Sequence, residues 1–172
     1  MNDAGLRDLA LAYVARYATT RKRLTMYLGR KVRERGVIDG AHGPSMIAAA
    51  VATVEALGGV DDAAFAASRQ RGLERRGYGR QRIAGALRSA GIDAELGQAV
   101  AATTDDVQAA IQFLRRRRLG PFGSGEPLAP DARRKALAAM ARAGHPPAVA
   151  LRLLKLGSPE ELEQFMAQTD AP

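Results

Sequence analysis

Apolar residues along this chain recur at steps of three and four, in runs closed by glycine, proline or a capping side chain. That period predicts helices throughout. Residues 6–18 place Leu9, Tyr13 and Tyr17 on one side, and Thr19 or Thr20 can cap the helix that follows. Over 21–35, Leu24, Leu28 and Val32 form an inward stripe, Lys22, Arg23, Arg30 and Arg33 gather opposite it, and Gly36 ends the helix. After the flexible turn residues Asp39 to Pro44, Ser45 is placed to cap a third helix. Its inward positions are Ile47, Ala50, Val51, Val54 and Leu57, and it stops at Gly58-Gly59.

Asp61 or Asp62 then caps a segment that runs to Arg76, where Gly77-Tyr78-Gly79 interrupts it. On a helical wheel Arg69 and Arg76 fall between Phe65 and Leu73. Either their stems lie along the core edge with the heads in water, or they face an anionic partner. Residues 80–90 turn Ile83, Ala86, Leu87 and Ala90 inward and Gln81, Arg82 and Arg88 outward, and Gly91 ends that helix. Asp93 caps a short helix with Leu96 and Val100, weakened by Gly97. Thr104-Asp105-Asp106 opens a helix whose stripe is Val107, Ala110, Ile111 and Leu114 and which continues into Arg115-Arg116-Arg117-Arg118. Four consecutive arginines exceed one turn of about 3.6 residues, so no flat face can use them all, and Arg118 points nearest the apolar stripe. They form a cationic knob for phosphate or acidic groups, or else complement the helix dipole. Residues 121–127 read as an irregular surface loop. Two further helices follow, 131–143 with Leu137, Met140 and Ala141 before Gly144, and 149–156 with Val149, Leu153 and Leu156. Ser158-Pro159-Glu160-Glu161 is a capping box for a last helix over 159–168.

Internal periodicity groups these helices into three units, 6–59, 60–103 and 104–157, with residues 158–172 as a C-terminal helix and tail. Each unit's second helix ends in a related phrase: RKVRERG at Arg30 to Gly36, ALRSAG at Ala86 to Gly91, AMARAG at Ala139 to Gly144. Apolar residues stand eight and four places before each glycine: Leu28 and Val32, Ile83 and Leu87, Ala136 and Met140. A three-helix unit of this size is marginal alone, and stacking its neighbours supplies the missing burial. The expected fold is all-α: three tandem helix-turn-helix-like repeats in an elongated, curved arrangement, plus the short C-terminal helix.

Composition sharpens this. Aromatic residues are 5% with no Trp, so the core is built from small side chains that bury little area per contact, which suits an extended architecture. Lys and Arg total 26 against 18 Asp and Glu, a formal charge of +8. That points to an anionic partner, nucleic acid or a filament containing it, against the simpler alternative of a generally basic soluble protein. Between Arg16 and Arg35 only Glu34 offsets eight basic residues. The absence of Cys removes disulfides and thiolate sites. His42 and His145, the only histidines, both sit in turns, and His145 is expected at a cap or on the surface. With no Gly-rich phosphate loop, nucleophile elbow or metal-ligand cluster, the expectation is a protein that is not an enzyme and needs no cofactor or metal. No apolar run approaches the ~20 residues of a membrane span. The N-terminus carries Asp3 and Asp8 without a basic lead, so a cytoplasmic location is expected.

The segment Asp61-Asp62 and Phe65 through Arg76-Gly77-Tyr78-Gly79, Arg82-Ile83, Leu87 and Gly91-Ile92 resembles the central signature of the RecX family of bacterial regulators of the RecA recombinase. Thr20-Arg21-Lys22-Arg23-Leu24 with Leu28 and Gly36 is similar to that family's first-repeat pattern, although Arg23 stands where the family is expected to carry an acid. The resemblance implies a protein that docks in the groove of the RecA–single-stranded DNA filament and represses recombinase activity; its basic faces are expected to meet single-stranded and duplex DNA, and a monomer is expected. The signature positions Asp62, Phe65, Gly77, Gly79, Ile83, Leu87 and Gly91 are expected to be structural. The contact candidates are Lys22, Arg23, Arg30, Arg33, Arg69, Arg76, Arg80, Arg82, Arg88, Arg133, Arg134 and the knob Arg115, Arg116, Arg117 and Arg118. The competing function is a DNA regulator that reads base edges with Arg80, Gln81 and Arg88 on a recognition helix.

Overall fold

The computed structural model describes residues 2–36, 42–124 and 128–169. Among these the chain forms helices and no strand: α1 (Asp3–Val14), α2 (Arg21–Arg35), α3 (Gly43–Ala56), α4 (Asp62–Glu74), α5 (Arg80–Ala90), α6 (Ala94–Ala102), α7 (Asp106–Arg117), α8 (Pro130–Arg142), α9 (Pro147–Leu153) and α10 (Pro159–Thr169). A short 3-10 turn, Gly120–Phe122, occupies part of the stretch expected to be irregular. Residues 125–127 of that loop, like 39–41 of the Asp39–Pro44 connection, lie outside the described residues.

The chain divides into two compact units, one of residues 1–68 with 87–97, the other of 69–86 with 98–172. In the first, Leu6 and Ala10 of α1, Leu24 and Leu28 of α2, and Met46, Ala50, Val51 and Val54 of α3 make the core. Asn2 caps α1, so the helix starts three residues before its expected beginning and ends by Val14. Tyr17 therefore leaves the helical stripe and stands 57% exposed, and Leu57, past the end of α3, is likewise exposed. His42 rather than Ser45 caps α3, its ring facing Ser45. The second unit is built on Ala110, Ile111, Phe113 and Leu114 of α7, Ala136 and Met140 of α8, and Ala150 and Leu153 of α9, closed by Leu162 of α10. Ala141, expected inward, is exposed.

The same joint is built in each unit. In the first, Thr20 caps α2 by accepting from the Arg23 N–H at 3.3 Å, and its hydroxyl donates to the Ala90 carbonyl at the C-terminus of α5 at 2.7 Å. Asp61 caps α4, which leaves Asp62 to accept from the Arg21 N–H at 2.9 Å, so a residue of α4 helps to close the start of α2. In the second, the Ala143 and Gly144 carbonyls at the C-terminus of α8 accept from the N–H groups of Gly79 and Gln81 at the start of α5. Each joint brings the C-terminus of one helix to the N-terminus of another, opposite ends of the helix dipoles meeting; the Thr20 and Asp62 side chains bridge the first, and backbone bonds join the second directly.

That close approach is why glycine closes these phrases. Gly91 and Gly144 hold positive φ of 86° and 90°. A Cβ on Gly91 would come 2.7 Å from Lys22 Cβ, and one on Gly144 would come 2.3 Å from the Arg82 nitrogen. At Gly36, the corresponding residue of the first phrase, a Cβ would meet nothing within 4 Å, so a φ of 70° at the helix stop rather than a close approach calls for glycine there.

Thr19 and Thr20 are adjacent and both buried, yet only Thr20 is bonded; the Thr19 hydroxyl has no partner among the described residues. Thr20→Val is expected to cost about 1–3 kcal/mol through loss of a cap and an interhelical bond. Thr19→Val, which removes an unsatisfied hydroxyl at constant volume, should leave the urea midpoint unchanged or raise it.

His145 is not at the surface. It is 1% exposed, its Nε2–H donates to the Gly77 carbonyl at 2.9 Å, and its ring meets Phe113 edge-on with centroids 5.4 Å apart. Nδ1 has no partner among the described residues. Burial holds this imidazole below the ordinary histidine value, against weaker upward pulls from the Gly77 bond and the Asp106 carboxylate. The folded state therefore resists a proton that the unfolded chain accepts. His145's contribution to stability is complete above the unfolded value of about 6.5 and is lost progressively as pH falls below it. The urea midpoint should drop as pH falls below about 6.5, and a flat midpoint in His145→Gln, whose amide can still donate to Gly77, would assign the drop to this ring.

Candidate cationic interface

Helix α2 presents its cations because Leu24 and Leu28 fix its opposite side in the core. Lys22, Arg23, Arg30 and Arg33 are all exposed. Arg23, Arg30 and Arg33 line one groove of about 540 Å³ with Tyr13, Met26, Tyr27 and Ile47. Lys22 is not in it, its stem lying against Gly91 in the joint. The Arg23 guanidinium sits 5.9 Å from the Phe65 ring centroid, which makes half-buried Phe65 a support for a cation rather than a core residue. Arg30 lies 5.7 Å from the Tyr27 ring and 3.7 Å from Glu34, and Lys31 reaches Glu34 at 2.7 Å. That Lys31 contact, first among several basic neighbours, holds the Glu34 carboxyl below its ordinary value. Two cations thus share one acid, and Arg33 has no ion pair among the described residues. Arg88 is exposed near the end of α5, outside this groove.

In the second unit Arg69 and Arg76 do not share the apolar side. The inward positions of α4 there are Gln70 and Leu73, and both arginines are exposed. Buried Gln70 donates to Thr103 at 2.8 Å, Thr104 at 3.3 Å and Glu74 at 3.1 Å, so a polar residue holds the position that the wheel gave to charge. Arg80 is ion-paired with Asp106, which is buried. Arg82 lies 5.9 Å from the Tyr78 ring. In the knob, α7 ends at Arg117, and Arg118 takes a left-handed φ of 53° beyond it; Arg118 is exposed instead of flanking the apolar stripe. Arg115 rests 5.1 Å from the Phe122 centroid and Arg117 5.4 Å from that of Phe113. Those two guanidinium groups are oriented by aromatic faces, and Arg116 and Arg118 make no ion pair among the described residues. Arg134 pairs with Asp131 at 3.1 Å, and Arg133 is half-buried, the least available of the candidates.

A second groove in this unit, about 630 Å³, is lined by Gln70, Arg71, Glu74, Arg75, Gln108 and Gln112 among others and contains none of the candidate cations. Sequence reasoning passed over Arg71 and Arg75, as it did Arg16, Met26 and Tyr27 in the first unit. Arg71 and Arg75 stand beside the chosen Arg69 and Arg76, and Met26 and Tyr27 lie one turn from Arg23 and Arg30, so part of their signal was present in the sequence.

At the start of α5, where a recognition helix offers side chains to base edges, the Gly79 and Gln81 N–H groups are bonded to the end of α8 and Arg80 is held by Asp106, while Gln81 and Arg88 are left exposed. Among the described residues no three or more His, Asp or Glu side chains converge as metal ligands, and no helix is long and apolar enough to cross a membrane.

Comparison with known proteins places this architecture. Residues 61–100 match the family model described as RecX, second three-helix domain. The regulatory protein RecX of Myxococcus xanthus is 35% identical over 81% of this chain and 78% of its own length. The regulatory protein RecX of Agrobacterium fabrum is 30% identical over 96% of this chain and 89% of its own. The crystal structure of RecX from Lactobacillus salivarius superposes with a TM-score of 0.69 across 94% of this chain and 97% of that one, at 16% identity, so the helical fold persists where most side chains differ. With the joint glycines, the capped second helices and two relatives that match over most of their length, the chain belongs to the RecX family of regulatory proteins.

Proposed function

We propose that this chain binds the RecA filament assembled on single-stranded DNA and lowers recombinase activity, ATP hydrolysis and strand exchange included, as a cytoplasmic monomer that works by binding rather than by turnover. Its repeats run over 6–59, 60–103 and 104–157, with 158–172 as a terminal helix and tail. The observation that supports this most is the α2 face, where Arg23, Arg30 and Arg33 converge on one groove and, among the described residues, only Arg30 of the three has an acid partner, Glu34. Like charges held this densely on a helix repel one another, and a polyanion running along the face relieves that repulsion. Arg115 to Arg118, two of them braced on aromatic rings, supply a second such surface.

The test is a titration of the purified protein into preformed RecA–single-stranded DNA filaments, following ATP hydrolysis with and without bare DNA as competitor. Hydrolysis should fall saturably, and competitor DNA should reverse the effect only in part. Unchanged hydrolysis at excess protein would contradict the proposal.

A further inference from the structure

We propose that the tyrosine cluster of the first unit is a stacking site for an unpaired nucleobase, with Arg16, Arg30 and Lys31 placed to meet the flanking phosphates. The inference deepens the filament reading, on which it rests for the identity of the strand. Tyr13 stacks on Tyr27 with centroids 4.2 Å apart at 23°, and Tyr17 lies against Tyr13 at 5.2 Å and 47°. These three rings and three cations, with Ala12, line a groove of about 610 Å³, within the roughly 300–1,000 Å³ of small-ligand sites.

Two features separate this cluster from ordinary core packing. Rings that served only to join α1 to α2 would be covered, yet α1 ends at Val14 and carries Tyr17 into solvent, 57% exposed, as the outermost ring of the column. Charge also surrounds the rings. Arg16 makes no ion pair among the described residues, and Glu34, the only acid that pairs with these three cations among those residues, is divided between Arg30 and Lys31. An open aromatic face edged by cations is the arrangement by which single strands are held without sequence readout, because every base has a flat face and every link a phosphate. Bases stacked inside a duplex cannot offer that face, so the site selects unpaired strands.

The chain has no Trp and four Tyr, three of them in this cluster, so intrinsic tyrosine fluorescence reports on the site directly. The full-length protein is titrated at low salt with a short thymidine oligomer and with an abasic oligomer of equal length and charge. The thymidine oligomer should quench the signal and bind about tenfold or more tighter, as stacking of one base predicts. Tyr17→Ala, a change at an exposed position, should retain helix content and bind both oligomers at the abasic level, while Tyr17→Phe keeps the preference. Equal affinity of the wild type for the two oligomers, binding to neither, or a preference that survives in Tyr17→Ala would each overturn the stacking site. Filament ATP hydrolysis measured on the same preparations separates the two ideas. Repression without base preference removes the stacking site alone, and base preference without repression removes the filament reading alone.

Discussion

Gly144→Ala is expected to destabilise the protein by about 4 kcal/mol or more, a large share of the ~5–15 kcal/mol that holds a typical domain folded. Two costs combine at this position. A φ of 90° is one that side chains with a Cβ rarely adopt. The new methyl would also stand 2.3 Å from the Arg82 nitrogen and 2.7 Å from its Cβ, which are parts of helix α5 and not the far end of a flexible side chain. Relief requires α8 and α5 to part, and with them go the bonds from Gly79 and Gln81 to the Ala143 and Gly144 carbonyls. Gly85→Ala supplies the opposite sign. Gly85 lies inside α5, a Cβ there meets nothing within 4 Å, and the gain in helix propensity should stabilise by about 0.5–1 kcal/mol. Urea denaturation followed by helical circular dichroism reads both changes. A Gly144→Ala midpoint close to that of the wild type would mean the joint is not as tight as described.

Replacing Lys22, Arg23, Arg30 and Arg33 together by alanine should weaken filament binding on the order of a hundredfold with helix content unchanged. Each exposed cation contributes ~0.2–1 kcal/mol against a phosphate or carboxylate, so four remove about 3 kcal/mol, or roughly two decades of affinity. The fold should tolerate the change, because all four side chains are exposed and Leu24 and Leu28, which anchor α2, are untouched. Alanine also has the highest helix propensity, which offsets the loss of the Arg23 contact with Phe65 and the Arg30 contact with Tyr27. Repression of ATP hydrolysis should fall in parallel. Undiminished repression by the quadruple variant would show that the α2 face is not the contact.

Much of this was legible in the chain because local rules and the global fold agree. Thr20, Asp61, Asp93, Asp105 and Ser158 all act at the helix starts expected of them. The apolar pair before each recurring glycine lies in or beside the core, with Val32 the one member left partly exposed. The misses have physical causes. In α4 the small alanines carry little apolar area, so a wheel phased on Phe65 and Leu73 tilts toward half-buried Phe65; the observed inward positions are Ala66, Gln70 and Leu73, and Gln70 is acceptable there because Thr103 and Thr104 satisfy its amide. His145 looks like a turn residue from its Pro neighbours, and nothing local announces that the Gly77 carbonyl, 68 residues away in sequence, will bond its ring. Tyr17 was read as inward on the premise that α1 reaches Ala18, and the earlier end of the helix exposes the ring. For the interface, charge and helical phase placed the α2 cations outward, as observed, but misplaced Arg69, Arg76 and Arg118, which are exposed rather than near the apolar side. They could not show that Asp106 engages Arg80, or that aromatic faces brace Arg115 and Arg117, because those partners come from elsewhere in the chain or depend on where α7 ends.

The central claim, that the α2 cations meet a polyanion, is tested most directly by filament affinity measured across a salt series for the wild type and the quadruple alanine variant. A plot of log affinity against log salt should be steep for the wild type and shallower by about 3 for the variant, as loss of four single-strand phosphate contacts at ~0.7 each predicts. Parallel lines for the two proteins would contradict the account.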